Sequence, residues 1–406
     1  MKQTPSAAAA PRFIPSFTRI ALERIGRLVR AGTLAIDMPD GEVLRYTGSD
    51  APGPDAHLRL HNLKPLWALA TGGSIGFAES YLAGDWDTDS LTSFLHFAAR
   101  NDDADRGAIP GLGVFARLNA KLQHHLRANS PRQARRNIAY HYDLGNAFYA
   151  HWLDPSMTYS AGIFSHPDES LADAQERKYA RLADLAGITP GDHVLEIGCG
   201  WGGFMEHVAR RGADVTGVSI SREQCRYAQD RIAHAGLSDR AQVNFCDYRD
   251  LDGRFDRIVS IEMFEAVGEA YWDTYASQLR RLLRPGGVAA LQVITIDESR
   301  FDGYRKTPDF IQKYIFPGGM LPSKTALEET FGRAGLSVTD RFEFGPDYAQ
   351  TIRHWRDGFD SAWSEIRQLG FDERFRRLWH FYLAYCEAGF RTGATDVVQV
   401  RLEHAG

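Results

Sequence analysis

The chain has 406 residues, 44% of them hydrophobic and 24% charged, with 47 lysines and arginines against 52 aspartates and glutamates for a net charge of −5. At roughly 100–200 residues per domain this length suits two domains, and the balance excludes a disordered chain, a coiled coil and a polycation that binds nucleic acid by bulk charge. No run approaches the ~20 apolar residues of a spanning helix, the early alanine run is too short for a signal peptide, and Cys199, Cys225, Cys246 and Cys386 lack disulfide or zinc spacing.

A cytoplasmic enzyme without a metal is therefore expected, and its elements follow in chain order. Thr33-Leu-Ala-Ile-Asp and Leu58-Arg-Leu-His alternate as strands do, and residues 91–97 read as a helix after Ala83-Gly-Asp-Trp-Asp. Residues 107–142 contain no acid but carry Arg117, Lys121, Arg127, Arg132, Arg135 and Arg136, which reads as a basic helix and linker. From about 170, strands are expected at 193–197, 214–220, 243–246, 257–261 and 288–296 with helical patterns between them. Tyr179, Leu182, Ala183 and Ala186 share one face of the first helix, which ends at Gly187. This alternation is that of a doubly wound α/β sheet. The turn Leu-Arg-Pro-Gly-Gly at 283–287 should stop a helix and introduce a strand. A helical insertion at about 298–333 precedes last strands near 336–344 and 396–402.

Val194-Leu-Glu-Ile-Gly-Cys-Gly-Trp-Gly-Gly203 runs from a strand through a glycine-rich turn into a helix. Glycines at 198 and 200 let the backbone turn tightly and approach a ligand. Two details argue against a dinucleotide. Glu196 precedes the first glycine by two residues, placed to reach a cationic amine. The next strand ends in Val218-Ser-Ile-Ser, without the acid that holds ribose hydroxyls in a dinucleotide fold. The pattern resembles the first motif of S-adenosylmethionine-dependent methyltransferases.

Other segments extend the resemblance. They are His141-Tyr-Asp-Leu-Gly-Asn146, Leu153-Asp-Pro-Ser-Met-Thr-Tyr-Ser160, Gly217-Val-Ser-Ile-Ser-Arg-Glu-Gln224 and Asp247-Tyr-Arg-Asp-Leu251. Met263-Phe-Glu-Ala-Val-Gly268, Phe310-Ile-Gln-Lys-Tyr-Ile-Phe-Pro-Gly-Gly319 and Asp347-Tyr-Ala-Gln-Thr-Ile352 complete the set. In this order and spacing they closely resemble the cyclopropane-fatty-acyl-phospholipid synthase family, which includes the mycolic acid cyclopropane synthases. The resemblance covers about 135–406. It implies a Rossmann-like class I methyltransferase sheet in a catalytic domain at 141–406, a basic linker at 107–140, and a smaller α+β lipid-associated domain at 1–106.

The resemblance also implies roles. Tyr159 and Ser160 would contact the methionine end of S-adenosylmethionine, with Glu196, Gly198, Cys199, Gly200 and Trp201 forming the loop beneath it. Ser219 and Gln224 would hold the ribose, and Asp247 and Tyr248 would bracket the adenine. The implied reaction transfers a methylene to the cis double bond of an unsaturated phospholipid acyl chain and closes a cyclopropane. Phe264, Tyr314 and Phe316 are candidates for lining the acyl channel, where aromatic faces would stabilise a carbocation. A bound bicarbonate would serve as base, held by Glu265, Tyr348 and the main chain of Ile294.

Two of the family's bicarbonate ligands differ. Its Tyr-Ser-Cys reads Tyr159-Ser160-Ala161, and its strand histidine is replaced by Gln292, an amide that donates but does not titrate. The position of the base relative to the cation decides between a cyclopropane and a methyl- or methylene-branched chain, and both outcomes stand open, with cyclopropanation first. A non-catalytic lipid-binding protein is a further alternative, and a dehydrogenase is disfavoured. The implied partners are an unsaturated phospholipid, an anionic membrane surface met peripherally on the inner face through 107–142, and a second copy in a homodimer; no nucleic acid is expected.

Overall fold

The computed structural model describes residues 16–50, 52–101 and 144–405, so the basic stretch 107–142 lies outside the described residues. The chain divides into two compact units, residues 1–116 and 117–406.

The first unit holds a four-stranded sheet of β1 (Thr33–Asp37), β2 (Val43–Thr47), β3 (Ala56–Leu60) and β4 (Trp86–Asp87), in the order β2-β1-β3-β4. Helices Ser16–Leu28, Lys64–Leu82 and Leu91–Arg100 accompany it. The last begins at Ser90, whose side chain accepts a bond from the Ser93 N–H and so satisfies an orphan donor of the first turn. The 19-residue helix Lys64–Leu82 was not foreseen in the sequence, because it lacks a clean apolar stripe and contains the helix-breaking pair Gly72-Gly73. Gly73 does kink it, with φ 60°. Trp86, from the Gly-Asp-Trp-Asp segment, is fully buried, stacks on Phe77 at 4.6 Å and donates its indole N–H to Ser80 Oγ at 3.0 Å.

The second unit is built on a seven-stranded sheet. Its strands are β5 (His193–Ile197), β6 (Asp214–Ser219), β7 (Ala241–Phe245), β8 (Phe255–Ile261), β9 (Leu283–Ile296), β10 (Leu336–Glu343) and β11 (Thr395–His404). They lie in the order β10-β11-β9-β8-β5-β6-β7. The run from β9 to β7 is parallel, while β11 is antiparallel to both β9 and β10. This is the doubly wound sheet expected from the alternation. The chain winds outward in opposite directions from β5 and β8, so their carboxyl ends frame the crevice where such sheets take ligands.

The Leu-Arg-Pro-Gly-Gly turn behaves differently from the expectation. It lies within β9 rather than ahead of it, as a shift in the β8–β9 register between Phe255 and Arg257. Gly286, at φ 76°, provides the left-handed residue that this irregularity requires.

Both faces of the sheet are covered. One carries Leu182, Ala186, Phe204 and Val208 from helices Leu171–Ala186 and Gly203–Arg210. The other carries Tyr275, Leu279 and Phe331 from helices Trp272–Leu282 and Lys324–Arg333. The first helix ends at Gly187 in the left-handed conformation, as expected. The insertion after β9 forms helices Glu298–Tyr304, Phe310–Tyr314 and Lys324–Arg333.

Candidate functional site

The glycine turn leaves β5 with φ of 83° at Gly198, 51° at Gly200 and 84° at Gly202, values that L side chains adopt only with strain. The Gly198 and Cys199 N–H groups both donate to the Val218 carbonyl, at 2.9 and 3.0 Å, which ties the turn to β6. A Cβ on Gly198 would lie 2.9 Å from Met263 Cγ, whereas one on Gly200 would meet nothing within 4 Å. Gly200 therefore presents bare backbone to open space. Cys199 is buried, and Trp201 donates its indole N–H to Asn146 Oδ1 at 2.8 Å.

Glu196 precedes the turn, is 2% exposed, and its Oε2 has no hydrogen-bond partner among the described residues. Burial pushes its pKa well up, opposed by the charge of Lys178 and a bond from the Met205 backbone. An unmatched carboxylate oxygen beside an open glycine turn suits a ligand that brings a cationic amine. At the end of β6, Ser219 Oγ donates to Gln224 Oε1 at 3.0 Å, so these two predicted ribose contacts sit together.

The remaining cofactor candidates are distributed unevenly. Tyr159 shares a 2.6 Å hydroxyl–hydroxyl bond with Tyr382, and Ser160 Oγ accepts from Lys178 Nζ at 2.7 Å. Asp247 holds the guanidinium of Arg249 through both oxygens, at 2.9 and 2.7 Å. Tyr248 packs its ring into the core, 5.1 Å from Tyr275, with burial pushing its pKa up to about 12. Phe264, a candidate for the acyl channel, also belongs to this core, against Trp272, Tyr275 and Phe331, because the short helical turn after β8 rolls its ring under the sheet. Phe316 keeps partial exposure beside Tyr382, and Tyr314 packs on Phe310.

The proton-handling residues converge where β8 ends alongside Gln292 and Ile294 of β9. Glu265 lies in the turn Phe264–Ala266 and accepts a short bond from the Ile294 N–H through Oε1. Its Oε2 is buried with no hydrogen-bond partner among the described residues. Burial, reinforced by the negative charge of Glu262, pushes its pKa up to about 8, so it holds a proton at neutral pH.

Tyr348 and Gln292 do not reach Glu265. They meet on Glu262, a residue that sequence reasoning missed. Glu262 Oε2 accepts from the Tyr348 hydroxyl at 2.6 Å, and Oε1 accepts from the Ala161 N–H at 2.9 Å and from Gln292 Nε2 at 2.8 Å. Burial pushes the Glu262 pKa up, while these three donors and the charge of Lys178 hold it down. Its backbone has φ 49°, which costs an L residue roughly 1–2 kcal/mol. A signal was present: an acid directly after an apolar strand, where a parallel sheet binds ligands.

Lys178 was missed as well. It falls on the same stripe as Ala174, Leu182 and Ala186, where an apolar residue is expected, and it is fully buried. Desolvation lowers its pKa to about 8 against the attraction of Glu262, Asp154 and Glu196. Around this polar centre stand aromatic rings: Tyr348 stacks on Phe390 at 4.3 Å, and Trp355 lies 5.9 Å from Tyr348 and 5.0 Å from Tyr159. The arrangement suits a reaction that generates positive charge near π faces and then removes a proton.

A family model described as mycolic acid cyclopropane synthetase matches residues 129–400. The tuberculostearic acid methyltransferase UfaA1 of Mycobacterium tuberculosis is 45% identical over 343 residues, which covers 82% of this chain and 80% of that protein. The cyclopropane-fatty-acyl-phospholipid synthase of Escherichia coli strain K12 is 34% identical over 362 residues, with 85% and 87% covered. Among solved structures, mycolic acid cyclopropane synthase CmaA1 complexed with SAH and CTAB superposes with a TM-score of 0.62 at 32% identity, over 66% of this chain and 97% of that one.

Proposed function

The chain belongs to the mycolic acid cyclopropane synthetase family, and from that premise we propose that it methylates the cis double bond of a phospholipid acyl chain and releases a methylene-branched product. It is an S-adenosylmethionine-dependent methyltransferase of lipids. When bound, S-adenosylmethionine supplies an electrophilic methyl group to the double bond. Glu196 would hold its amine, the Gly198–Gly200 backbone would lie beneath it, and Ser219 with Gln224 would take its ribose. Tyr348, Phe390, Trp355 and Tyr159 would face the cationic chain and keep water from it.

The observation that carries the choice of product is the fixed carboxylate of Glu262. Ring closure requires a proton to leave the new methyl group as soon as the cation forms. In competition, an internal 1,2-hydride shift moves the cation onto the carbon bearing that methyl, and proton loss then gives a methylene branch. A carboxylate clamped by Tyr348, Ala161 and Gln292 has little freedom to follow the methyl group, which favours the shift. The 45% identical relative, a methyltransferase by name, points the same way. Cyclopropanation is the second reading, favoured by the Glu265–Ile294 contact.

Both products gain one methylene unit in mass, so proton NMR of the acyl chains after incubation with a cis-monounsaturated phospholipid separates them. Olefinic methylene protons support the first reading, and cyclopropyl protons alone overturn it. The acid-free stretch 107–142 and the unit before it would bring the enzyme to an anionic membrane, each basic residue contributing about 1 kcal/mol near the surface. Vesicle binding indifferent to salt and to Arg132, Arg135 and Arg136 replaced by Ala would remove that role.

A further inference from the structure

Glu262 is held by its backbone and its side chain at once. Its N–H donates to the Gln292 carbonyl at 2.8 Å, locking it to β9 while its φ stays at 49°. Of the described residues other than glycine, only Met157 shares a positive φ. A conformation that glycine would adopt freely is here given to a glutamate, whose carboxylate is thereby aimed at three donors.

Those donors are themselves oriented. Gln399 Nε2 donates to Gln292 Oε1 at 3.0 Å, which turns the Gln292 amide so that its NH2 faces Glu262. The Tyr348 ring is fixed between Phe390 and Trp355. A phenol, a main-chain N–H and a primary amide converging on one point form a site for a small planar oxyanion. The site's occupant is the chain's own carboxylate. Lys178 supplies a counter-charge nearby, and its ammonium donates to Ser160 Oγ at 2.7 Å. The two departures from the family pattern, Ala161 and Gln292, are both donors to Glu262.

We propose that Glu262 is the resident anion of this site and the base that takes the proton from the methylated acyl chain, so that the enzyme works without an exchangeable bicarbonate. This rests on reading the chain as an acyl-chain methyltransferase. After the hydride shift the proton leaves the methyl carbon for the Glu262 carboxylate, the C–H electron pair becomes the π bond between that carbon and the cationic chain carbon, and the carboxylic acid returns its proton to solvent after product release. The protonated Glu265 serves beside it as a neutral neighbour, so a second negative charge does not compete for the same proton.

The test compares the wild-type chain with Glu262→Gly and Glu262→Gln in buffer stripped of carbon dioxide and in buffer with added bicarbonate. Glycine relieves the backbone and vacates the anion position, whereas glutamine fills the position without a base. The wild type is expected to turn over at the same rate, within about twofold, in both buffers. Both variants should lose at least about 100-fold in bicarbonate-free buffer, and only Glu262→Gly should recover when bicarbonate is added. Retained binding of S-adenosylmethionine by calorimetry shows that a variant is folded.

A second readout needs no turnover: 13C-bicarbonate NMR should show line broadening with Glu262→Gly and none with the wild type. A bicarbonate requirement or broadening in the wild type overturns the proposal, as does full activity of Glu262→Gln. A Glu262→Gly chain that binds S-adenosylmethionine but not bicarbonate also overturns it. If the wild type methylates no lipid in either buffer, the acyl-chain reading fails, and the NMR comparison still decides who occupies the anion site.

Discussion

Glu262 and Glu265 stand three residues apart on the turn leaving β8, and the structure gives them opposite environments. The first receives Tyr348, Ala161 and Gln292, and the second receives the Ile294 N–H and otherwise keeps a buried oxygen without a partner among the described residues. Two carboxylates this close do not ionise equally, because each charge raises the cost of the other. Burial raises both, but three donors and the Lys178 charge oppose the rise at Glu262, whereas the Glu262 charge adds to it at Glu265, which keeps a proton at neutral pH.

That proton gives a stability signature. Glu265 titrates near 8 in the folded chain and about 4.3 when unfolded, so the folded state binds the extra proton between those values. Its contribution is complete below the unfolded pKa and is lost as pH rises towards 8. Denaturant unfolding of the wild type should therefore lose stability from about pH 5 to 8, by up to about 1.4 kcal/mol per pH unit. Glu265→Gln should remove that slope. Parallel curves for the two chains would mean that Glu265 is not the titrating group.

Tyr348→Phe deletes a 2.6 Å bond to the Glu262 carboxylate without changing the ring's packing on Phe390. A hydrogen bond to a charged group contributes about 1.5–3 kcal/mol, which corresponds to a loss in kcat of about 10–100-fold. KM for the lipid should change little, since the hydroxyl is directed at Glu262. A variant whose KM rises while kcat holds would place Tyr348 in lipid binding instead.

Lys178→Met keeps the buried stripe filled but removes the positive charge that opposes the burial-driven rise in the Glu262 and Glu196 pKa. Tyr348, Glu265 and Asp154 are the other titratable groups coupled to this centre. Without the cation the carboxylates should protonate more readily. The acid limb of the kcat/KM profile is then expected to move to higher pH by about one unit. An unmoved limb would assign Lys178 to anchoring Ser160 alone.

The glycine turn separates folding from binding. Gly198→Ala places a methyl 2.9 Å from Met263 and adds left-handed strain, so it should lower the unfolding free energy by about 2 kcal/mol. Gly200→Ala carries strain of about 1 kcal/mol but meets no neighbour, so its main loss should be in affinity for S-adenosylmethionine, read by calorimetry. Equal affinity in wild type and Gly200→Ala would move the cofactor away from that face.

What the sequence determined by itself was set by neighbours along the chain. Period-two and period-3.6 patterns marked the strands and helices of the seven-stranded sheet, and the run from Glu196 to Gly203 announced a turn that only glycines can make. The same local reading was silent on helix Lys64–Leu82, whose apolar residues follow no single face, and it could not tell that Tyr248 and Phe264 enter the core. Tertiary structure alone decided the anion site. The donors to Glu262 lie 86, 30 and 101 positions away, on Tyr348, Gln292 and Ala161. Their convergence depends on the pairing of β8 with β9 and on segments that cover the sheet's carboxyl edge, and no periodicity in one stretch of chain encodes where a distant hydroxyl will point.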